Sequence, residues 1–155
     1  MGITVTEGNT WGAKFIEAFK GGFPENNHAT TMAGLFADKT AWDWSDGFKG
    51  EGSPDEIFTQ FQKTWGFMVA EMKWTPNMFV DTTNSKIIFY GNLVINITGG
   101  LPESNLVENP ICFILTLDQG KCVKWEALWD NEEPTLLKAL SSVSEKLKAS
   151  QATAA

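Results

Sequence analysis

The 155-residue chain contains no arginine, and His28 is its only histidine. All twelve basic residues are lysines, against nineteen acidic residues, so the formal net charge is −7. Arginine is the residue that binds phosphate through paired hydrogen bonds and stacks on bases. Its absence and the acidic balance argue against nucleic acid and anionic membranes as partners. No apolar run approaches the ~18 residues that a membrane span needs.

Cysteine is also scarce, since Cys112 and Cys122 are the only two. Both fall in segments that read as strands, and their spacing fits neither a disulfide framework nor a metal-ligand pair. With a single histidine, the usual His/Cys zinc site cannot be assembled. We therefore expect reduced thiols and no metal or other cofactor. The first residues lack the basic and apolar regions of a secretory signal, so we expect a cytoplasmic protein.

Hydrophobic residues make up 43% of the chain and charged residues 20%, which is typical of a soluble globular protein. The length fits one domain. We assign residues 1–148 to that domain and expect residues 149–155 to form a disordered tail.

Apolar residues at helical spacing predict helices in the first half of the chain. The first runs from about Glu7 to Lys20 and the second from about Asn27 to Ala37. A short strand from Thr40 to Trp44 and a glycine-rich turn through Gly52 follow. The third helix begins at a capping box, in which Ser53 is the cap, Pro54 takes the first helical position and Glu56 faces back to the cap.

From Glu71 onward the apolar residues recur with a period of two, which predicts strands. The connections are short and polar, so neighbouring strands should be antiparallel. The four predicted strands run from Met72 to Asp81, from Lys86 to Thr98, from Leu106 to Asp118 and from Cys122 to Asp130. Pro134 then begins a final amphipathic helix.

This order of elements resembles the nuclear transport factor 2-like superfamily, which includes ketosteroid isomerase, scytalone dehydratase, limonene epoxide hydrolase and SnoaL-like polyketide cyclases. The residues that carry the resemblance are Leu35-Phe36-Ala37-Asp38 leading into Trp42-Asp43-Trp44, the Gly50 to Glu56 turn and cap, and the segment from Asp118 to Asp130. The resemblance implies an α+β fold, in which a cone-shaped, curved antiparallel sheet wraps around a long helix and a C-terminal helix is added.

The catalytic positions of these enzymes are not retained here. The resemblance places Phe15, Trp44 and Cys112 where ketosteroid isomerase has a tyrosine, a general-base aspartate and a protonated aspartate. None of the three can supply that chemistry. Scytalone dehydratase needs two histidines and the epoxide hydrolase needs an arginine. Only the acid-base chemistry of the SnoaL-like cyclases stays open.

The resemblance also places many aromatic side chains around a concave pocket, which would suit a flat, apolar ligand. The alternative is that these side chains fill the core in the ordinary way. The predicted ligand-binding residues are Phe15, Phe19, Trp42, Trp44, Phe61, Trp65, Cys112, Ile114, Trp125 and Trp129.

Asp46 is the candidate catalytic residue, because it follows Trp44 and lies on the same side by alternation. Tryptophan rings around its carboxylate would desolvate it, an environment that suits a general acid or base. The alternative is an aspartate that caps the turn ahead of Gly47. Asp130 also has two interpretations. It could reach the rim of the pocket, or it could cap the final helix.

Together these patterns predict a homodimeric protein with a tryptophan-lined pocket for an apolar or aromatic small molecule. If it is an enzyme, we expect a cofactor-independent isomerase, cyclase or dehydratase. Two alternatives are a non-catalytic carrier and a protein-interaction module that binds peptides on the outer face of its sheet.

Overall fold

The computed structural model describes residues 2–19, 34–61, 63, 69–99, 101 and 105–154. None of its described helices is both long and apolar enough to span a membrane. The elements are α1 (Val5–Phe19), β1 (Phe36–Trp44), β2 (Lys49–Gly52), α2 (Pro54–Phe61), β3 (Val69–Trp74), β4 (Asn77–Asp81), β5 (Lys86–Ile97), β6 (Leu106–Asp118), β7 (Lys121–Trp129) and α3 (Pro134–Ala154).

The seven described strands form one sheet in the order β2-β1-β7-β6-β5-β3, and β4 also pairs with β5. Strands β5, β6 and β7 are joined as an antiparallel meander, as predicted. The pair β1 and β7 is parallel. This curved, mostly antiparallel sheet with helices packed on it confirms the predicted α+β class.

Helix α1 packs against one face of the sheet. Its apolar stripe, which includes Trp11, Phe15 and Phe19, is buried as its spacing predicted. The Phe15 ring stacks on Phe89 at a centroid distance of 5.3 Å and meets Trp125 edge-on at 5.7 Å. We call this the inner face of the sheet and the opposite face the outer face.

The capping box of α2 is confirmed. The Glu56 amide donates to Ser53 Oγ at 3.3 Å, and the Ser53 amide donates to Glu56 Oε2 at 2.8 Å. Ile57 and Phe58 are buried on the first turns. Trp65, one of the predicted ligand-binding residues, lies outside the described residues.

Strand β1 is longer than predicted and begins at Phe36, where we expected the end of the second helix. The Cys122 amide donates to Leu35 O at 2.8 Å, so pairing with β7 draws this segment into the sheet. Most of the predicted second helix lies outside the described residues. The glycine-rich turn contains strand β2, in which Gly50 lies opposite Trp42. A Cβ atom at Gly50 would come within 2.7 Å of the Trp42 ring, so the glycine makes room for it.

The predicted strand from Met72 to Asp81 is divided into β3 and β4, which both pair with β5. Pro76 lies in the break. Because proline has no amide hydrogen, it cannot donate to the ladder there.

Helix α3 begins at Pro134 as predicted, and the Leu136 amide donates to the Glu133 carboxylate at 2.7 Å. Its own residues Leu136 and Val143 are buried. The helix continues to Ala154, so residues 149–154, which we expected to belong to a disordered tail, are helical. Its alanines favour helix, which explains the difference.

Candidate functional site

Aromatic side chains from α1 and the sheet form one continuous cluster on the inner face. Phe113 packs edge-on against Trp74 at 4.9 Å and against Trp125 at 5.2 Å, and Trp125 meets Trp44 at 5.1 Å. Phe15, Trp44 and Trp125 are only 0%, 3% and 1% exposed. For these three predicted ligand-binding residues, the structure therefore shows the ordinary core packing that was the alternative.

A cavity of about 60 Å³ lies beside this cluster. Residues from both ends of the chain meet around it, because α1, α2, α3 and four strands each contribute to its wall. Asn109 is the only polar side chain among the described residues that line it. The described lining consists of Phe19, Phe61, Met72, Leu93, Ile95, Asn109, Ile111, Phe113, Trp129 and Leu136.

Three of the predicted ligand-binding residues, Phe19, Phe61 and Trp129, line this cavity. The other lining residues were missed. Alternation along β5 gave a usable signal for Leu93 and Ile95, which are buried on the inner face. Helical spacing marked Leu136 as an inward residue of the final helix, but no local pattern showed that α3 folds back across the sheet to the cavity.

Asn109 lies 3% exposed in the cavity wall, and both ends of its amide are occupied. Its Nδ2 donates to Asp130 O at 2.9 Å, and its Oδ1 accepts from the Asp130 amide at 3.2 Å. The side chain thus replaces a backbone partner at the end of β7 and fixes that end against β6. This satisfied amide positions the wall, and the cavity surface around it is apolar.

Trp129 is held in place from β1. The Trp129 amide donates to Ser45 Oγ at 3.0 Å, and Ser45 Oγ donates to Trp129 O at 3.2 Å. Asn131 Nδ2 donates to Ser45 O at 2.7 Å. These bonds join the ends of β1 and β7 and fix the Trp129 backbone beside the cavity, where its ring is half-buried.

Asp46 is exposed in the turn between β1 and β2 and is not among the residues that line the cavity. Its Oδ1 accepts from the Phe48 amide at 3.0 Å, and the next residue, Gly47, has φ +94°. This is the geometry of the turn-capping alternative. Asp130 is also exposed, and its Oδ1 accepts from the Glu132 amide at 3.0 Å in the turn before α3.

Cys112 and Ile114 lie on the outer face, opposite the cavity, so the face that we assigned to them was wrong. Cys112 is paired across the sheet with Tyr90 and Leu128. The resemblance, which places Cys112 at a catalytic position, decided this assignment, although the alternate set from Val107 to Leu117 is the more apolar one. Trp42, which we also predicted to bind the ligand, is half-buried against the core beside Gly50 and is not among the residues that line the cavity.

The outer face carries exposed apolar side chains at its centre. Leu128 is 53% exposed, Tyr90 44% and Phe79 60%. Charges flank this apolar centre along the strands. Lys86 and Lys124 lie opposite Thr116 of β6, whereas Glu108 lies eight residues earlier on the same strand.

Neither cysteine thiol lies in surroundings that favour the reactive thiolate. Burial raises the pKa of both the Cys112 and the Cys122 thiols. Cys122 Sγ donates to Lys124 O at 3.3 Å. Within the described part of the chain, no three His, Cys, Asp or Glu side chains are grouped to hold a metal ion. What the described site offers is an apolar wall around a small space.

No protein-family model and no curated protein matches this sequence. Solved structures do match. A protein named as a SnoaL-like polyketide cyclase from Shewanella denitrificans OS-217 is 16% identical, with a TM-score of 0.68 over 90% of this chain and 99% of that one. An NTF2-like protein from Burkholderia xenovorans LB400 is 14% identical, with a TM-score of 0.64 over 89% of this chain and 98% of that one.

A third match is TerC, crystallised with polyporic acid. It is 12% identical, with a TM-score of 0.61 over 80% of this chain and 92% of that one. At these identities the matches concern the fold alone. Together with the element order and the sheet topology, they show that the chain has the nuclear transport factor 2-like fold.

Proposed function

We propose that this protein binds a flat, apolar small molecule in the cavity beside the aromatic cluster and acts as a carrier. The observation that carries the proposal is the lining contributed by the described residues, which is apolar apart from an amide whose two ends are already bonded. Binding at such a wall removes apolar surface of the ligand from water, which favours binding by roughly 25 cal/mol per Å² of apolar surface buried.

The present space is small for a ring. A cavity of about 150 Å³ is known to take up benzene, whereas this one measures about 60 Å³. Binding therefore requires the wall to move outward. Phe61, Met72 and Trp129 are the half-buried members of the lining, and the flexible thioether of methionine adapts readily to a new neighbour.

We prefer a carrier to an enzyme because acid-base catalysis needs a titratable group within reach of the ligand. The described lining contains no carboxylate or imidazole. Asp46, our candidate for that role, is exposed in a turn. The crystallisation of TerC with polyporic acid supports an organic small molecule as the kind of ligand this fold accommodates.

The test is a titration with indane, a small bicyclic hydrocarbon, followed by intrinsic tryptophan fluorescence and calorimetry. Ile111→Phe adds volume inside the cavity and should weaken binding by about tenfold, which corresponds to ~1.4 kcal/mol. Ile114→Phe is the matched control, because the same substitution on the same strand adds volume on the outer face. It should bind indane as the wild type does.

Two results would overturn the proposal. One is a wild-type protein that shows no saturable response to indane. The other is equal weakening by both substitutions, with circular dichroism showing both variants folded, since indane would then bind somewhere other than the cavity.

A further inference from the structure

Three buried tryptophans have an indole N–H that meets no acceptor within the described part of the chain. These are Trp44, Trp74 and Trp125, which are 3%, 5% and 1% exposed. Trp11 shows the usual arrangement, since its Nε1 donates to Leu35 O at 3.2 Å. Buried indole N–H groups normally find a partner, and an unpaired one loses its hydrogen bonds to water without replacement.

Trp44 and Trp74 each lie one ring behind the cavity wall. Trp44 packs edge-on against Phe61 at 5.3 Å and lies 6.4 Å from the Trp129 ring. Both of those neighbours line the cavity. Both are half-buried, so they belong to the part of the wall that moves when the cavity widens.

Trp74 is placed differently. It packs against Phe19 at 5.4 Å and against Phe113 at 4.9 Å, and these two rings also line the cavity. Each of them is only 3% exposed and is held by the aromatic cluster. Close-packed rings of this kind do not yield without loss of packing. The Trp74 indole therefore stays covered by Phe19 and Phe113. The Trp44 indole can be exposed to the cavity when its own neighbours in the wall move.

We infer that Trp44 is a specificity-determining residue, whose indole N–H donates to an oxygen acceptor on the bound ligand. This inference rests on the proposed function and narrows the ligand class to flat apolar molecules that carry a carbonyl oxygen. When Phe61 and Trp129 move outward, the Trp44 donor meets the ligand. A neutral donor in an apolar wall suits a neutral carbonyl, because a charged group would lose its hydration there.

The experiment compares indane with 1-indanone, which has the same ring skeleton and one added carbonyl oxygen. The quantity measured is the ratio of their two dissociation constants, so that their different affinities for water cancel between variants. Trp44→Phe removes the donor and should shift this ratio toward indane by about two- to tenfold. Trp74→Phe is the matched control and should leave the ratio unchanged.

A second measurement covers the case in which Trp44→Phe does not fold. In ¹⁵N-labelled wild-type protein, the indole resonance of Trp44 should move downfield with 1-indanone and not with indane. If both probes bind and neither the ratio nor that resonance responds, the inference is wrong and the proposed function stands. If neither probe binds, the proposed function has failed and this inference fails with it.

Discussion

Phe15→Ala tests whether the inner face is a close-packed core or an open ligand surface at this position. Phe15 is 0% exposed. Its ring lies within 6.4 Å of six described aromatic rings, which belong to α1, β1 and three further strands. Removing it leaves a hole whose walls are held by the sheet and cannot easily collapse.

The magnitude follows from that packing. Phe→Ala in a core costs about 3–5 kcal/mol, and the cost is greatest where the surroundings do not relax. The lost aromatic pairs act in the same direction, at about 0.5–1.5 kcal/mol each before non-additivity. We therefore expect a loss of about 4–5 kcal/mol in the free energy of unfolding, toward the upper end of the range. With a urea m value of about 2 kcal/mol/M, the unfolding midpoint falls by about 2 M.

The assay is urea unfolding followed by tryptophan fluorescence and circular dichroism. Phe79→Ala is the matched control, because Phe79 is 60% exposed on the outer face and should change stability by no more than about 0.5 kcal/mol. A loss below about 2 kcal/mol for Phe15→Ala, under the range for a buried ring, would refute the reasoning. It would mean that Phe15 faces open space and is a ligand contact after all.

The thiols, the cap of α3 and the outer face of the sheet each provide a further test. In the folded monomer only Cys112 should react with a thiol reagent, because Cys122 is 0% exposed. Reaction of two equivalents before denaturation would contradict this. The Glu133 carboxylate accepts a hydrogen bond from the Leu136 amide, and this bond lowers the Glu133 pKa. Its contribution to the stability of the fold is therefore complete above the ordinary pKa of a glutamate and is lost as the pH falls through the lowered pKa. Glu133→Ala should therefore lower the thermal midpoint at neutral pH, and its difference from the wild type should shrink as the pH falls and the carboxyl is protonated. We propose that a second copy of this chain covers the outer face, with lysines of one copy against acidic residues of the other. Leu128→Glu should then give monomers in sedimentation equilibrium. A monomeric wild type would refute the proposal.

The parts of the fold that were predicted correctly depend on local signals. The capping box at Ser53 marked the start of α2, and the helical spacing of Trp11 and Phe15 identified the buried face of α1. Strand β6 was predicted from Leu106 to Asp118 and has those bounds. In each case the residues that decide the structure are neighbours in sequence.

The errors have the opposite origin. Strand β1 extends back to Phe36 because it pairs with β7, which is more than eighty residues away in sequence. Cys112 and Ile114 were placed on the wrong face because the resemblance decided which set of alternating β6 side chains faces inward, and in this chain the other set does. The cavity could be predicted only in part, since its wall is assembled from helices and strands whose packing angles no local pattern records.

The residue at position 44 argues for the proposed carrier over acid-base catalysis at this site. The resemblance to ketosteroid isomerase places a general-base carboxylate there, and this chain has an indole that donates and cannot accept a proton. Asp46 was the natural substitute, because alternation puts residues 44 and 46 on one side of a strand. Alternation holds only while the strand continues, and β1 ends at Trp44. The next residues form the turn to β2, which carries the Asp46 carboxylate into solvent and occupies it with the Phe48 amide. In the proposed complex the ligand thus meets a hydrogen-bond donor where a base was expected, and a donor holds an oxygen-bearing ligand without removing a proton from it.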